Sequence, residues 1–570
     1  MTIFYTWWKD ATVYQIWPAS YKDSNGDGIG DIPGIISKLD YIKELGIDVI
    51  WLSPMFDSPQ DDMGYDVSDY EAVYPKYGTI EDMQMLIDET HRRGMKLILD
   101  LVANHTSAEH KWFQESRSSK TNPKRDWYIW RKPKYDVDGN RQPPNNWLSR
   151  FSGSAWKYDE TTGEYFLHIY TDTMPDLNWE NPETRQAIYD SALKTWFERG
   201  VDGFRIDVAG KWSKVQSFSD APIVFPESKW QPADMYFQHG PRIHEFHKDM
   251  VKQVISKYDA MTVGEVGHST KEEALKYVSA KEKEMNMIFL FHLVNVGSVS
   301  KDRYRYSGFD LVDMKKAIID QDDYFKNTDG WSTVFTENHD RPRSISRFGN
   351  ESSPKLRSMS GKLLTMLQIT LTGTLFLYQG QEIGMTNIPR SWPIEEYLDV
   401  EAANYFKAYQ EEYGCDPAKL EKLMDVINLL ARDNARTPVQ WDSTENGGFT
   451  TGKPWMRVND NYKQINAQSQ INDPSSILSF WKESLRLRKE YKDLFIYGSL
   501  KVLDYDNKQV FTYLKETNSE TSYVALNCSS KSVKFKPLIT GNFKLICSNI
   551  VSKKVDDTLC PYEGRIYIVK

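Results

Sequence analysis

Short apolar runs recur along the chain, "VYQIWP", "DVIWLSP", "KLILDLV", "GFRID", "MTVGE", "MIFLF", "STVFT" and "LFLYQG", with helix-patterned stretches between them. Runs of four to eight residues without strict polar alternation suit strands covered on both faces, as in a parallel sheet flanked by helices. Eight such units predict an α/β fold, a (β/α)8 barrel. Near residue 495 the pattern changes to "GSLKVLDYD", "VFTYLKE", "TSYVALN" and "GRIYIVK", in which polar and apolar positions alternate between turn residues. This predicts a small antiparallel β domain over 495–570. Two intervals are too long for ordinary loops between strand and helix. Residues 107–180, rich in Pro, Gly, Asn and Trp, predict a subdomain inserted after the third strand, dividing the barrel into 1–106 and 181–494. A second insertion falls near 385–452.

Length agrees with this division, because 570 residues exceed what one compact core holds. A net charge of −9 without a long basic run argues against nucleic acid or an anionic membrane as partner. No apolar stretch reaches the length of a membrane span, and the N-terminus lacks the order of a signal peptide. A cytoplasmic monomer is the expectation. The four cysteines, Cys415, Cys528, Cys547 and Cys560, lack metal-ligand spacing and are expected as thiols in a reducing compartment. The 18 Trp and 33 Tyr fill cores or stack on sugar rings, and composition alone does not choose between them.

The stretch "DSNGDGIGD" sets oxygen-bearing side chains at Asp23, Asn25, Asp27 and Asp31 around Gly28. An EF-hand would need a preceding helix and a bidentate Glu at its twelfth position, which here is Gly34. What precedes the loop reads as a strand, since Val13, Ile16 and Trp17 lie in a β-branched and aromatic run. Two alternatives stay open: a polar turn without an ion, or a structural cation pinning one loop.

A barrel works from the C-terminal ends of its strands. Those ends carry His105 in "DLVANH", Arg205 and Asp207 in "GFRIDVAG", Glu265 in "VGEVGH", and His339 and Asp340 in "FTENHD". A lone rim Asp is more often a helix cap and a lone His a core residue. Three carboxylates, an arginine and two histidines on one rim point to chemistry.

The order "DLVANH", "MPDLN", "GFRIDVAG", "GEV", "FTENHD" resembles the α-amylase superfamily, glycoside hydrolase family 13, in its α-glucosidase and oligo-1,6-glucosidase branch, which includes yeast isomaltases and maltases. The resemblance extends to "WWKDATVYQIWPASYKDSNGDGIGDIPGI", "MGYDVSDY", "ARTPVQWD" and "GFTTGKPW", covering almost the whole chain. It implies a retaining glycosidase with Asp207 as nucleophile and Glu265 as general acid/base, the carboxyls roughly 5–5.5 Å apart. Arg205, two residues before Asp207 and so on the same strand face, is expected to keep Asp207 ionised, and Glu265 to need a raised pKa. Asp340 would grip sugar hydroxyls, with His105 and His339 as further donors. Asp66 and Arg436 resemble the pair that closes over the non-reducing end, and Tyr65 a stacking platform beneath the first glucose. The resemblance implies no cofactor for catalysis, and a structural calcium held by Asp23, Asn25, Asp27, the carbonyl of Ile29 and Asp31.

Val208, next to the nucleophile, goes with α-1,6 links in enzymes of this kind, where Thr goes with maltose. Ala209, Gly210, Val266 and Gly267 look more like the maltase pattern. Met174 departs from the usual "QPDLN", and Lys211 stands where both groups usually carry an apolar residue. The expected substrates are short α-glucosides, isomaltose-type first and sucrose included, with a maltose-preferring enzyme as the alternative. A sucrose isomerase or glucosyl transferase shares the same covalent intermediate. A non-catalytic barrel homologue is the alternative of another class.

Overall fold

The computed structural model describes residues 6–267, 269–299, 303–550 and 557–570. The predicted runs form strands β1 (Thr12–Ile16), β2 (Val49–Leu52), β3 (Lys96–Leu101), β4 (Gly203–Ile206), β5 (Met261–Gly264), β6 (Met287–Ile288), β7 (Thr333–Val334) and β8 (Thr374–Tyr378). They pair in the order β6-β5-β4-β3-β2-β1-β8-β7, all in parallel, and a parallel bridge from Ile288 to Ser332 joins the two ends into a ring. Apart from Lys96, every residue of these strands is buried, which is why the runs lack polar alternation.

Alternation survives as two cores. Val13, Val49, Trp51, Ile98, Met261, Val263, Phe289 and Phe376 form one cluster inside the ring. Their strand neighbours Tyr14, Ile50, Leu97, Leu99, Phe204 and Leu377 belong to the cluster under the helices. The same period of two turns Gln15, Asp100 and Arg205 inward at the C-terminal end of the ring. The helix Ile80–Arg92 shows how the outer layer is specified: Thr79 and Asp82 form a capping box, and Met83, Leu86, Ile87 and Thr90 give the spacing of one buried face.

After β3, the excursion carries an antiparallel sheet of Trp130–Arg131, Glu164–Leu167 and Trp156–Asp159. Its core of Ile129, Trp147, Trp156 and Leu167 also takes Phe218, Ala221, Ala233 and Phe237 from the segment after β4. That third excursion was not foreseen from the sequence, because residues 208–233 hold isolated aromatics without helical or strand period. The 385–452 insertion contains helices Val400–Tyr413 and Pro417–Leu430, capped by Asp399 and Asp416 and packed through Trp392, Tyr397, Ile427 and Leu430.

The C-terminal strands β9 (Ser499–Val502), β10 (Val510–Glu516), β11 (Thr521–Asn527), β12 (Phe543–Ser548) and β13 (Gly564–Val569) form an antiparallel sheet in the order β9-β10-β11-β13-β12. Lys315, on the barrel helix Leu311–Asp322, ties this domain down. Its Nζ donates to the carbonyls of Asp504, Asn507 and Val510 at 2.7, 2.7 and 3.0 Å. Among the described residues no helix is long and apolar enough to cross a membrane.

Candidate active site

Arg205 organises the top of the ring. Its Nη1 donates to Asp100 Oδ1 and to Asp207 Oδ1, each at 2.7 Å, and its Nη2 donates to Glu265 Oε2. Register explains the grouping, since Arg205 on β4 lies beside Asp100 on β3 and Val263 on β5. Three buried or half-buried carboxylates therefore share one guanidinium. Burial lifts Asp100 to about 6 and raises Asp207 above the usual carboxylate range, although Arg205 pulls both down. Arg205 was expected to keep Asp207 ionised; with one cation serving three carboxylates, burial outweighs that pull. Asp100 and Asp207, both held by Nη1 of Arg205, titrate as a pair. Glu265 is its most open member, with 24% of the side chain exposed against 8% for Asp207 and none for Asp100.

A hydrogen-bonded chain backs this cluster. Gln15 Nε2 donates to His339 Nδ1 at 2.8 Å, His339 Nε2–H donates to the Tyr65 hydroxyl at 2.7 Å, and Tyr65 donates to Asp100 Oδ2 at 3.1 Å. This tautomer of His339 is the one that gives every member a partner. The imidazole, Trp17 and Tyr65 form a triangle of near-parallel rings, with centroids 5.4, 5.5 and 6.4 Å apart. Tyr65, expected as a platform for glucose, is tied edge-on to His339 through its hydroxyl. His105 is buried, with Nε2 bonded to the Tyr65 carbonyl at 3.1 Å and Nδ1 to Asn104 at 3.2 Å. Both its nitrogens serve the protein here, so it positions Tyr65. Burial drives His105 to about 4 and His339 to about 3, so both rings are neutral at pH 7.

The expected pair of Asp66 and Arg436 does not form. Asp66 is fully buried and accepts from Ser58 Oγ and from the amides of Asp61 and Asp62 at 2.9, 2.8 and 3.2 Å. It shapes the loop that aims Asp62. Asp62 Oδ1 instead meets Arg432 Nη2 at 3.2 Å, and Arg432 also reaches Asp399 at 2.8 Å and Asp340 at 3.3 Å. Arg436, one turn along and therefore on the same face, bonds Asp399 at 2.7 Å and Asp340 at 3.2 Å, with its guanidinium 4.5 Å from the Trp17 ring. Against the cost of burial, His339, Arg432 and Arg436 hold Asp340 well below the usual carboxylate range. Because His339 is neutral, the two guanidiniums supply that field.

Beside these groups lies a cavity of about 310 Å3 whose wall includes Tyr170, Val208, Lys211, Glu265, Asp340 and Arg432. Val208 has φ 36°, a strained value for a β-branched residue, directly after Asp207. Asp62, Asp100, Asp399 and Arg432 were missed from sequence. Asp100 had left a signal, a charge inside the apolar run "KLILDLV", and Arg432 another, an arginine four residues before Arg436.

The 23–31 loop lies apart from this chemistry. Asp23 accepts from the amides of Asn25, Gly26 and Gly28 at 2.9, 2.8 and 2.8 Å, Asn25 from Asp27, and Asp27 from Ile29. Gly28 turns at φ 92°, and a Cβ there would strike the Lys453 carbonyl. Asp31 caps the next helix through Gly34. The side chains offer only oxygen, the donor class a hard cation takes, and both carboxylate oxygens of Asp23 and of Asp31 already accept from protein donors. Among the described residues no three His, Cys, Asp or Glu side chains converge as a ready cage.

Residues 15–498 match the model of the alpha amylase catalytic domain. An alpha-glucosidase of Candida albicans is 64% identical over 567 residues, 99% of each chain. The chain belongs to the alpha-amylase family. Within that family it is also 51% identical to an oligo-1,6-glucosidase of Saccharomyces cerevisiae, over 99% of this chain and 98% of the other. The crystal structure of isomaltulose synthase from Erwinia rhapontici NX5 superposes with a TM-score of 0.94 at 38% identity, covering both chains fully.

Proposed function

We propose that the chain is a retaining, exo-acting α-glucosidase that removes single glucose units from short α-glucosides and prefers α-1,6 links. The observation that carries this is the grip of one guanidinium on Asp207 and Glu265 beside the cavity. Two carboxyls held that way suit the close spacing of a retaining pair, roughly 5–5.5 Å, better than the wider gap an inverting water needs.

Asp207, as the carboxylate paired with Arg205, attacks the anomeric carbon while Glu265, the member open to the cavity, protonates the departing oxygen and the glycosidic bond breaks. The glucosyl group is then bonded to Asp207. Glu265 takes a proton from water as that water attacks the same carbon, and glucose leaves with its configuration retained. Asp340, kept ionised by Arg432 and Arg436, accepts hydrogen bonds from the sugar hydroxyls. Arg432, on the cavity wall and held from behind by Asp62 and Asp399, closes the far end, so a glucose must enter as a chain terminus. At 310 Å3 the cavity is at the small end of ligand pockets, roughly 300–1,000 Å3, which suits a disaccharide. The 64% and 51% identities to enzymes named as glucosidases, against 38% to the isomaltulose synthase, favour hydrolysis over transfer.

Val208 sets the linkage preference by placing a methyl where maltases have a hydroxyl. Val208→Thr isolates that hydroxyl, because both residues are β-branched and pay the same backbone strain at φ 36°. The unmodified chain is expected to release glucose faster from isomaltose than from maltose. The variant should shift the kcat/KM ratio toward maltose by about tenfold, the scale of one hydrogen bond at a subsite. An unmoved ratio would pass the role to neighbouring positions.

We further propose that Asp23, Asn25, Asp27, the Ile29 carbonyl and Asp31 hold calcium with a purely structural effect. Millimolar calcium added after chelation is expected to raise Tm by about 2 °C or more. The initial rate at 25 °C should stay unchanged. A flat Tm contradicts calcium binding in the folded state.

A further inference from the structure

Lys211 is a buried cation that the mechanism above does not use. It follows the nucleophile by four residues, and its amide donates to the Val208 carbonyl at 2.9 Å, so a tight turn seats both residues on the cavity wall. Its side chain is buried, and among the described residues its Nζ makes one hydrogen bond, to the Tyr170 hydroxyl at 2.7 Å. No carboxylate of the described residues lies within ion-pair distance of it. The adjacent cation, Arg150, is paired with Asp234. An ammonium carries three donors and no acceptor, and burying it without an anion is costly unless a ligand supplies the missing oxygens. Burial, with Arg150 pushing the same way, takes its pKa down to about 7 against the opposing charges of Asp234, Glu265 and Asp207.

We propose that Lys211 is a specificity-determining residue of the leaving-group subsite, where its ammonium donates to hydroxyl oxygens of the second sugar. The inference rests on the α-glucosidase assignment and narrows it: the preferred leaving groups are hydroxylated sugars, and aromatic or alkyl leaving groups gain nothing from Nζ. Val208 and Lys211 then act together, one by removing a polar partner and the other by adding one further along the wall.

The test compares kcat/KM on isomaltose with kcat/KM on p-nitrophenyl α-glucoside, whose leaving group has no sugar hydroxyls. Lys211→Met keeps the length of the side chain and removes its donors. It is expected to lower the isomaltose-to-aryl ratio at least tenfold, and Lys211→Arg is expected to restore most of it. A parallel fall on both substrates would mean that Lys211 acts on the carboxylate cluster or on the fold. An unchanged ratio would mean that Nζ does not touch the leaving sugar, and either result overturns the proposal. Should Lys211→Met fail to fold, Lys211→Gln carries the same comparison. Failure of the unmodified chain to cleave either substrate would instead refute the α-glucosidase assignment.

Discussion

Asp207→Asn is expected to lower kcat/KM on isomaltose by on the order of 10^5-fold, the scale seen when a covalent nucleophile is removed, while the variant melts at or above the unmodified protein at pH 7. The activity loss follows because an amide cannot carry the glucosyl group. The stability gain follows from linkage. Burial raises the folded-state pKa of Asp207 above its unfolded value. The protonated form is therefore favoured in the fold, and that stabilisation, complete below the unfolded pKa, is lost as pH rises through the folded pKa. Asparagine has no proton to lose. The variant's advantage in Tm should grow from pH 4 to pH 7, and scanning calorimetry at both values checks it. Retained turnover would remove Asp207 from the nucleophile's role.

Arg205→Met is expected to cost about 3–5 kcal/mol at pH 7, the scale for stripping the partner from buried charges, and to lower activity at least ~10^3-fold through lost preorganisation. The guanidinium is the only cation bonded to Asp100, Asp207 and Glu265 among the described residues. Without it only the Tyr65 and Trp51 hydrogen bonds oppose burial on Asp100, which is already lifted to about 6, and Asp207 loses its cation. Acids with raised folded pKa values stabilise the fold at low pH and lose that contribution as pH rises. The destabilisation should therefore be larger at pH 7 than at pH 5. Denaturant melts at the two pH values decide this, and a loss independent of pH would mean that Arg205 acts by packing rather than by charge.

Much of this was legible in the sequence wherever regular backbone links position to direction. The apolar runs became the barrel, and the period of two on β4 put Arg205 and Asp207 on one face. Legibility failed where the chain turns irregularly. Gln60, Met63 and Gly64 all have positive φ, at 70°, 51° and 101°, so direction cannot be counted along that loop. The resemblance had put the pair on Asp66 and Arg436, whereas the loop presents Asp62 to Arg432. Asp399 was hidden differently: it caps the helix Val400–Tyr413 through the amide of Glu401 while its other oxygen meets Arg436, and only the first role has a sequence signature. The 208–233 excursion has no period at all, and its aromatics gain meaning only against Trp147 and Trp156.

The central claim is that glucose is released through a covalent bond to Asp207, and the most direct test is the anomeric form of the first glucose produced. Proton NMR during the first minutes of p-nitrophenyl α-glucoside hydrolysis, before mutarotation, reads it, because the one glucose formed there comes from the reacting centre. α-Glucose is expected to appear first and to decay toward the equilibrium mixture. Initial release of β-glucose would contradict it, since inversion at the anomeric carbon excludes the glucosyl-enzyme intermediate.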